Sequence, residues 1–239
     1  MLTYKINIQD IKNQIFIPKY YDPALRQELL SLKETHDLLV LGDLIDAGII
    51  GAQTGHEIGK MAYGTGSIPF VRTSDISNWE IKTIPKQGVS QEIYDFYAYK
   101  EDVQPGDILM VKDGTYLIGT NCIVTPLDIP MIYQSHILKF RVVSSELLDP
   151  LILFLALNCP LVQRQIRNMQ FTADIIDTLG SRYREIILPI PKDITFRKEL
   201  SEKMKQALDT RIRYKAAIKQ MPLLIESVLE SGTTQAFDT

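Results

Sequence analysis

The sequence predicts an α+β protein, a β-rich domain followed by a long helical arm. Three observations carry this. Over residues 37–192, short runs of β-branched and aromatic residues alternate with Gly, Pro and Asp turns. From 195 to 221, Phe196, Leu200, Met204, Leu208 and Ile212 recur every fourth residue, the period of one helix face. Hydrophobic residues make up 45% of the 239, enough for a real core, and 23% are charged, which excludes wholesale disorder.

Four regions follow in order. Residues 1–36 form a leader, with an extended piece over 4–17, a turn at 18–23 and a short helix over 24–34. Asp22 is its N-cap and Pro23 its first helical residue. Residues 37–192 are the β-rich domain, with strands expected at 67–72, 107–112, 122–125 and 136–143. Two short helices, 150–158 and 161–169, fall inside it. Residues 193–231 form the helical arm, interrupted at Pro222, with Gly232 as a C-cap. The tail, 232–239, is expected to be loose.

Composition removes several functions. No apolar run nears the roughly 18 residues of a membrane span, and the N-terminus lacks signal-peptide order, so a cytoplasmic protein is expected. Cys122 and Cys159 form no CxxC pair and read as free thiols; His36, His56 and His136 have no metal-site spacing. Gly64-Thr-Gly66 is followed by a proline-bearing strand rather than a helix, and reads as a tight turn. Pro105-Gly-Asp107 before Val111-Lys112 lacks the second carboxylate of a metal-dependent nuclease, because Met110 stands in its place. Asn158-Cys-Pro160 is not the base-holding loop of an amino methyltransferase. No phosphate-binding GxxxxGK[ST] and no GxSxG is present. No catalytic residue, metal or cofactor is therefore expected. The net charge of -3 argues against a sequence-blind DNA coat held by phosphate contacts alone.

The positive signal is an ordered constellation. Leu41-Gly-Asp-Leu-Ile45 precedes Gly64-Thr-Gly-Ser-Ile-Pro-Phe-Val-Arg-Thr-Ser-Asp-Ile76. Then come Pro105-Gly-Asp-Ile-Leu-Met-Val-Lys-Asp-Gly114, Ile118-Gly119, Gln134-Ser-His136 and Leu188-Pro-Ile-Pro191, the last directly before the long helix. This set resembles the target-recognition domain of type I restriction–modification specificity (S) subunits, over about residues 37–221. The resemblance implies a non-catalytic protein that reads one half of a bipartite DNA site. Its partners would be double-stranded DNA, an adenine methyltransferase subunit carrying S-adenosylmethionine, and a restriction subunit. A full family member has two recognition domains and two spacer helices. This chain carries one of each, so the resemblance implies a half-length version acting as a homodimer on an interrupted palindrome. The other reading is a protein-interaction subunit of a defence complex that does not read DNA.

Base reading needs Arg for guanine, Asn or Gln for adenine, and Ser or Thr for either. The expected DNA-binding residues are Arg72, Thr73, Ser74, Lys112, Thr115, Tyr116, Gln134, Ser135, His136 and Gln170, with Lys60 and Lys139 also on phosphates. Gly64, Gly66 and Gly114 would allow close backbone approach to a DNA strand. Each has a structural alternative: Arg72 pairing with Asp75, His136 satisfied at a strand head, Lys112 solvated at a strand end. The stripe Phe196, Leu200, Met204, Leu208 and Ile212 is assigned to a partner or dimer interface. At about 40 Å the helix exceeds what one domain needs to cover itself. Packing on its own domain is the alternative.

Overall fold

The computed structural model describes residues 4–77, 79–114, 116–173 and 176–231, with no side chain described at 172–176, 228, 230 or 231. Helix α1 (Pro23–Ser31) starts as expected: Asp22 Oδ1 accepts the Ala24 N–H at 3.0 Å, and Pro23 needs no partner. Then come β1 (His36–Val40), α2 (Leu41–Asp46), β2 (Ile50–Thr54), β3 (Ile68–Val71), β4 (Ile76–Ser77), β5 (Glu80–Ile81) and β6 (Gly88–Val89). Helix α3 (Gln91–Glu101) precedes β7 (Ile108–Val111), β8 (Asp113–Gly114), β9 (Asn121–Ile123), β10 (Ile132–Tyr133) and β11 (Ile137–Val142). Helices α4 (Pro150–Asn158) and α5 (Pro160–Met169), strands β12 (Phe171–Ala173), β13 (Ile176–Thr178) and β14 (Ile187–Pro191), and α6 (Ile194–Ser231) complete the chain.

The centre is a four-stranded sheet in the order β2-β11-β7-β9. Its two faces divide the core by strand alternation. Ile108 and Met110 of β7, with Leu138 and Phe140 of β11, face a cluster built on α2, α4, α5 and β14. Leu109, Val111 and Ile137 face the other way, against Val71, Ile76, Ile81, Met131 and Tyr133. Because both faces are covered, all four residues of β7 are buried. A third cluster joins Phe70, Val89 and Ile132 to the aromatic face of α3. The leader docks on this body: Arg164 of α5 pairs with Glu28 of α1 at 2.6 Å, and the Tyr20 hydroxyl donates to Glu185; β1 pairs antiparallel with β14.

Helix α6 departs from expectation in two ways. It runs unbroken for 38 residues through Pro222 instead of stopping there. Its apolar stripe is also used at home. Met204 is only 7% exposed within the main cluster, and Leu200 and Leu208 pack against the same cluster. The assignment of these three to a partner is corrected accordingly. Phe196 remains 47% exposed and Ile212 half-buried. Asp193 caps the helix, accepting the Thr195 N–H at 2.8 Å. Further along, Lys215 is buried, donating to Asp128 at 2.7 Å and to the Ile81 carbonyl. After it a continuous series of apolar side chains emerges into solvent, at Ile218, Met221, Leu223, Leu224, Ile225 and Leu229. Among the described residues, no helix is long and apolar enough to cross a membrane.

Candidate nucleic-acid interface

Several strand ends meet at one rim of the central sheet. Parallel pairing of β10 with β3 carries on into the loop, where the Gln134 N–H donates to the Val71 carbonyl at 2.9 Å. On the other flank of β10, the His56 N–H donates to the Tyr133 carbonyl at 3.1 Å, just past the end of β2. The turn into β11 is tied to the end of β7, the Lys112 N–H reaching the His136 carbonyl at 2.9 Å. β8 then pairs with β13, setting Gly114 opposite Asp177. Gln170 joins through its side chain, donating to Asp177 Oδ2 at 2.7 Å. The rim therefore gathers Arg72, Lys112, Gln134, Ser135, His136 and Gln170 from separate stretches of sequence, with Thr73 and Ser74 following Arg72. Thr115 lies outside the described residues. Tyr116, next to it, is 88% exposed.

Glycine explains one crossing. At Gly55 a Cβ would lie 2.1 Å from the Tyr133 carbonyl oxygen, so only glycine lets the chain pass β10 there. Gly66 has a comparable role: its Cβ would lie 2.5 Å from the Val89 carbonyl oxygen. Its missing side chain makes room for the protein's own β6, not for a DNA strand.

Arg72 does not pair with Asp75 through its guanidinium. Asp75 is fully buried and accepts the backbone N–H of Arg72 at 3.0 Å and of Lys86 at 3.2 Å, shaping the turn. The Arg72 guanidinium lies 5.7 Å from the centre of the Tyr63 ring, and its Nε is buried with no hydrogen-bond partner among the described residues. The Tyr63 ring thus orients the guanidinium, whose Nε is shut off from solvent.

At the middle of the rim, Asp113 collects three donors. Lys112 Nζ is 2.6 Å away, Thr178 Oγ1 is 2.5 Å away, and His136 Nδ1 is 3.4 Å away. Burial alone would raise the Asp113 pKa, but the Lys112 and Thr178 hydrogen bonds outweigh it and hold the carboxyl below its ordinary value of 3.8. A carboxyl depressed in the folded state adds stability above its unfolded pKa, which is lost as pH falls through the folded value. Asp113→Asn is therefore expected to flatten the loss of stability as pH falls below about 4. Urea unfolding midpoints across that window check it; parallel acid limbs would refute it.

Two expected contacts are withdrawn. Gln134 is 8% exposed and offers little surface to a ligand. Lys139 is 5% exposed and is spent inside, donating to the carbonyls of Glu101 and, at 3.1 Å, Asp102. It belongs to a structural network at the far end of the sheet. There Arg141 holds Asp107 through two hydrogen bonds of 2.7 Å. Asp107 is thereby accounted for as an anchor of the Pro105-Gly-Asp turn, and no His, Cys, Asp and Glu cluster fit to hold a metal occurs among the described residues. Beneath the rim, Glu101 is fully buried, taking the Tyr133 N–H at 2.8 Å and His56 Nδ1 at 2.9 Å. Burial raises its pKa above the ordinary range. This brace between α3, β10 and the segment after β2 was not foreseen.

No protein-family profile and no curated protein matches the chain. Solved structures do. The chain is similar to the S subunit of the type I restriction–modification system of M. genitalium, at 13% identity and a TM-score of 0.51, over 90% of this chain and 50% of that one. It is also similar to the type IIG restriction endonuclease BpuSI, at 12% identity and a TM-score of 0.51, over 78% of this chain and 28% of that one. The chain thus spans about half the length of the S subunit it matches, and over that half it has the S-subunit fold.

Proposed function

We propose that this chain is a DNA-recognition subunit of a restriction–modification system, itself non-catalytic. It chooses the sequence on which a partner adenine methyltransferase, and a restriction subunit, act. One observation carries the reading. On a fold shared with an S subunit, separate strand ends deliver cationic and hydrogen-bonding side chains (Arg72, Lys112, Ser135, His136) to a single rim. A rigid rim of this kind suits base reading, because its donors are oriented before binding. The target base is flipped into the partner's pocket, so S-adenosylmethionine binds the partner and not this chain.

The exposed apolar end of α6, Ile218 to Leu229, is the surface we assign to assembly, either with a second copy or with the methyltransferase. Two copies related by a two-fold axis would read the two halves of an interrupted palindrome.

Binding tests the reading without a partner. A rim using about three phosphate contacts predicts affinity for duplex DNA falling on the order of 40-fold between 50 and 200 mM salt. Lys112→Ala is expected to reduce the log–log slope by about 1. Salt-independent association, or no duplex binding at low salt, would favour the protein-interaction reading.

A further inference from the structure

Glu57 lies at the same rim, yet a carboxylate on a surface facing a polyanion costs repulsion unless it meets a donor. Its position is tightly set. Gly55 passes against β10, His56 is held by Glu101, and Ile58 is 5% exposed in the core. Between these anchors the Glu57 side chain stays 55% exposed. It is nonetheless oriented: Ser135 Oγ donates a hydrogen bond to Oε1, and His136 Nε2 stands 3.8 Å from the same oxygen. Those neighbours engage only part of what a carboxylate accepts, leaving lone pairs directed outward.

Resting on the DNA-recognition reading above, we propose that Glu57 is a specificity-determining residue that accepts the exocyclic N4 amine of a cytosine in the major groove. Two bases present an amine there, cytosine and adenine. Adenine places its N7 acceptor beside the amine, which repels a carboxylate, whereas cytosine has only a C–H on that side. Arg72 follows Val71, whose carbonyl accepts the Gln134 N–H, and brings to the same rim a guanidinium, the group suited to guanine O6 and N7. The pairing of one acceptor with one donor fork also reconciles base reading with a net charge of -3. Selectivity comes from matched polarity at the rim rather than from a broad cationic face.

The test is selection of bound duplexes from a randomised pool by the full chain, comparing wild type with Glu57→Gln, Glu57→Ala and Ser135→Ala. Wild type is expected to enrich a motif containing a fixed cytosine. Glu57→Gln exchanges one acceptor for an amide that pairs with adenine N6 and N7. It should move that single position from cytosine to adenine, with about a tenfold loss for cytosine. Glu57→Ala and Ser135→Ala should blur the same position and leave the others sharp. Thermal melts verify that each variant is folded, and Ser135→Ala carries the test alone if the Glu57 variants are not. A wild-type motif that survives all the variants unchanged would overturn the role of Glu57 while leaving the recognition function standing. Uniform weakening at every position would reduce Glu57 to a structural residue and also overturn it. If wild type enriches nothing, the recognition reading fails first and the inference falls with it.

Discussion

Met204→Asp is expected to unfold the protein. Met204 is 7% exposed in the main cluster, where α6 crosses α4 and β14. The substitution removes about 2 kcal/mol of apolar burial and places an unpaired carboxylate in the core, which costs several kcal/mol more. The sum approaches the roughly 5–15 kcal/mol that holds a domain together. Soluble yield should collapse, or circular dichroism should show no cooperative melt. Met204→Leu, which nearly conserves volume, should cost less than about 1.5 kcal/mol. Leu229→Asp, at a position 77% exposed, should leave the melt unchanged and act only on assembly. If Met204→Asp folds normally and loses only a partner, this face of α6 belongs to that partner after all.

Lys215→Met is expected to have the second largest effect. The Lys215 ammonium and the Asp128 carboxylate are 6% and 4% exposed and 2.7 Å apart. Such a pair adds little net stability by itself, because both charges were stripped of water. Removing one member is different, since the other stays buried without compensation, at about 3–5 kcal/mol. For a chain of this size that lowers the melting temperature by about 10 °C. Asp128 also accepts the Thr125 N–H at 2.8 Å, so the turn beneath the helix should loosen as well. Adding Asp128→Asn removes the orphaned charge and should restore part of the loss. If the double variant melts no higher than Lys215→Met alone, orphaned charge is not the cause of the loss.

These two residues also mark where sequence reading reached its limit. The i+4 stripe from Phe196 to Ile212 was legible as a helix face, but periodicity does not say what covers that face. A buried lysine on the polar side of the same helix left no trace in the pattern, because Lys215 owes its burial to Asp128, 87 residues away. Pro222 read as a break, yet the helix continues through it, as a long helix does when neighbouring turns hold it. Strands β3, β7, β9 and β11 were legible from their β-branched runs. Helix α3 was not: Tyr94, Phe96, Tyr97 and Tyr99 resemble strand or loop composition, and tertiary packing of its aromatic face overrides that propensity. The available signal was Ser90, whose hydroxyl accepts the Ile93 N–H at 3.4 Å as an N-cap.

The rim was half legible. Residue types suited to DNA identified Arg72, Ser135 and His136, and the structure brings these together. The same logic misplaced Lys139 and Gln134, whose exposure depends on sheet register and not on side-chain chemistry. It passed over Glu57 altogether, because a search for phosphate and base contacts weighted cations and amides. Glu101 was equally invisible, as a buried carboxylate has no local signature before its partners His56 and Tyr133 are brought to it by the fold.

In the role proposed, this chain selects a DNA sequence for a partner enzyme. Co-expression with its cognate adenine methyltransferase, followed by mapping of methylated adenines across the host DNA, tests it most directly. Methylation is expected at one interrupted motif alone, palindromic if two copies of the chain act together. Scattered or absent methylation, with the methyltransferase present and soluble, would contradict it.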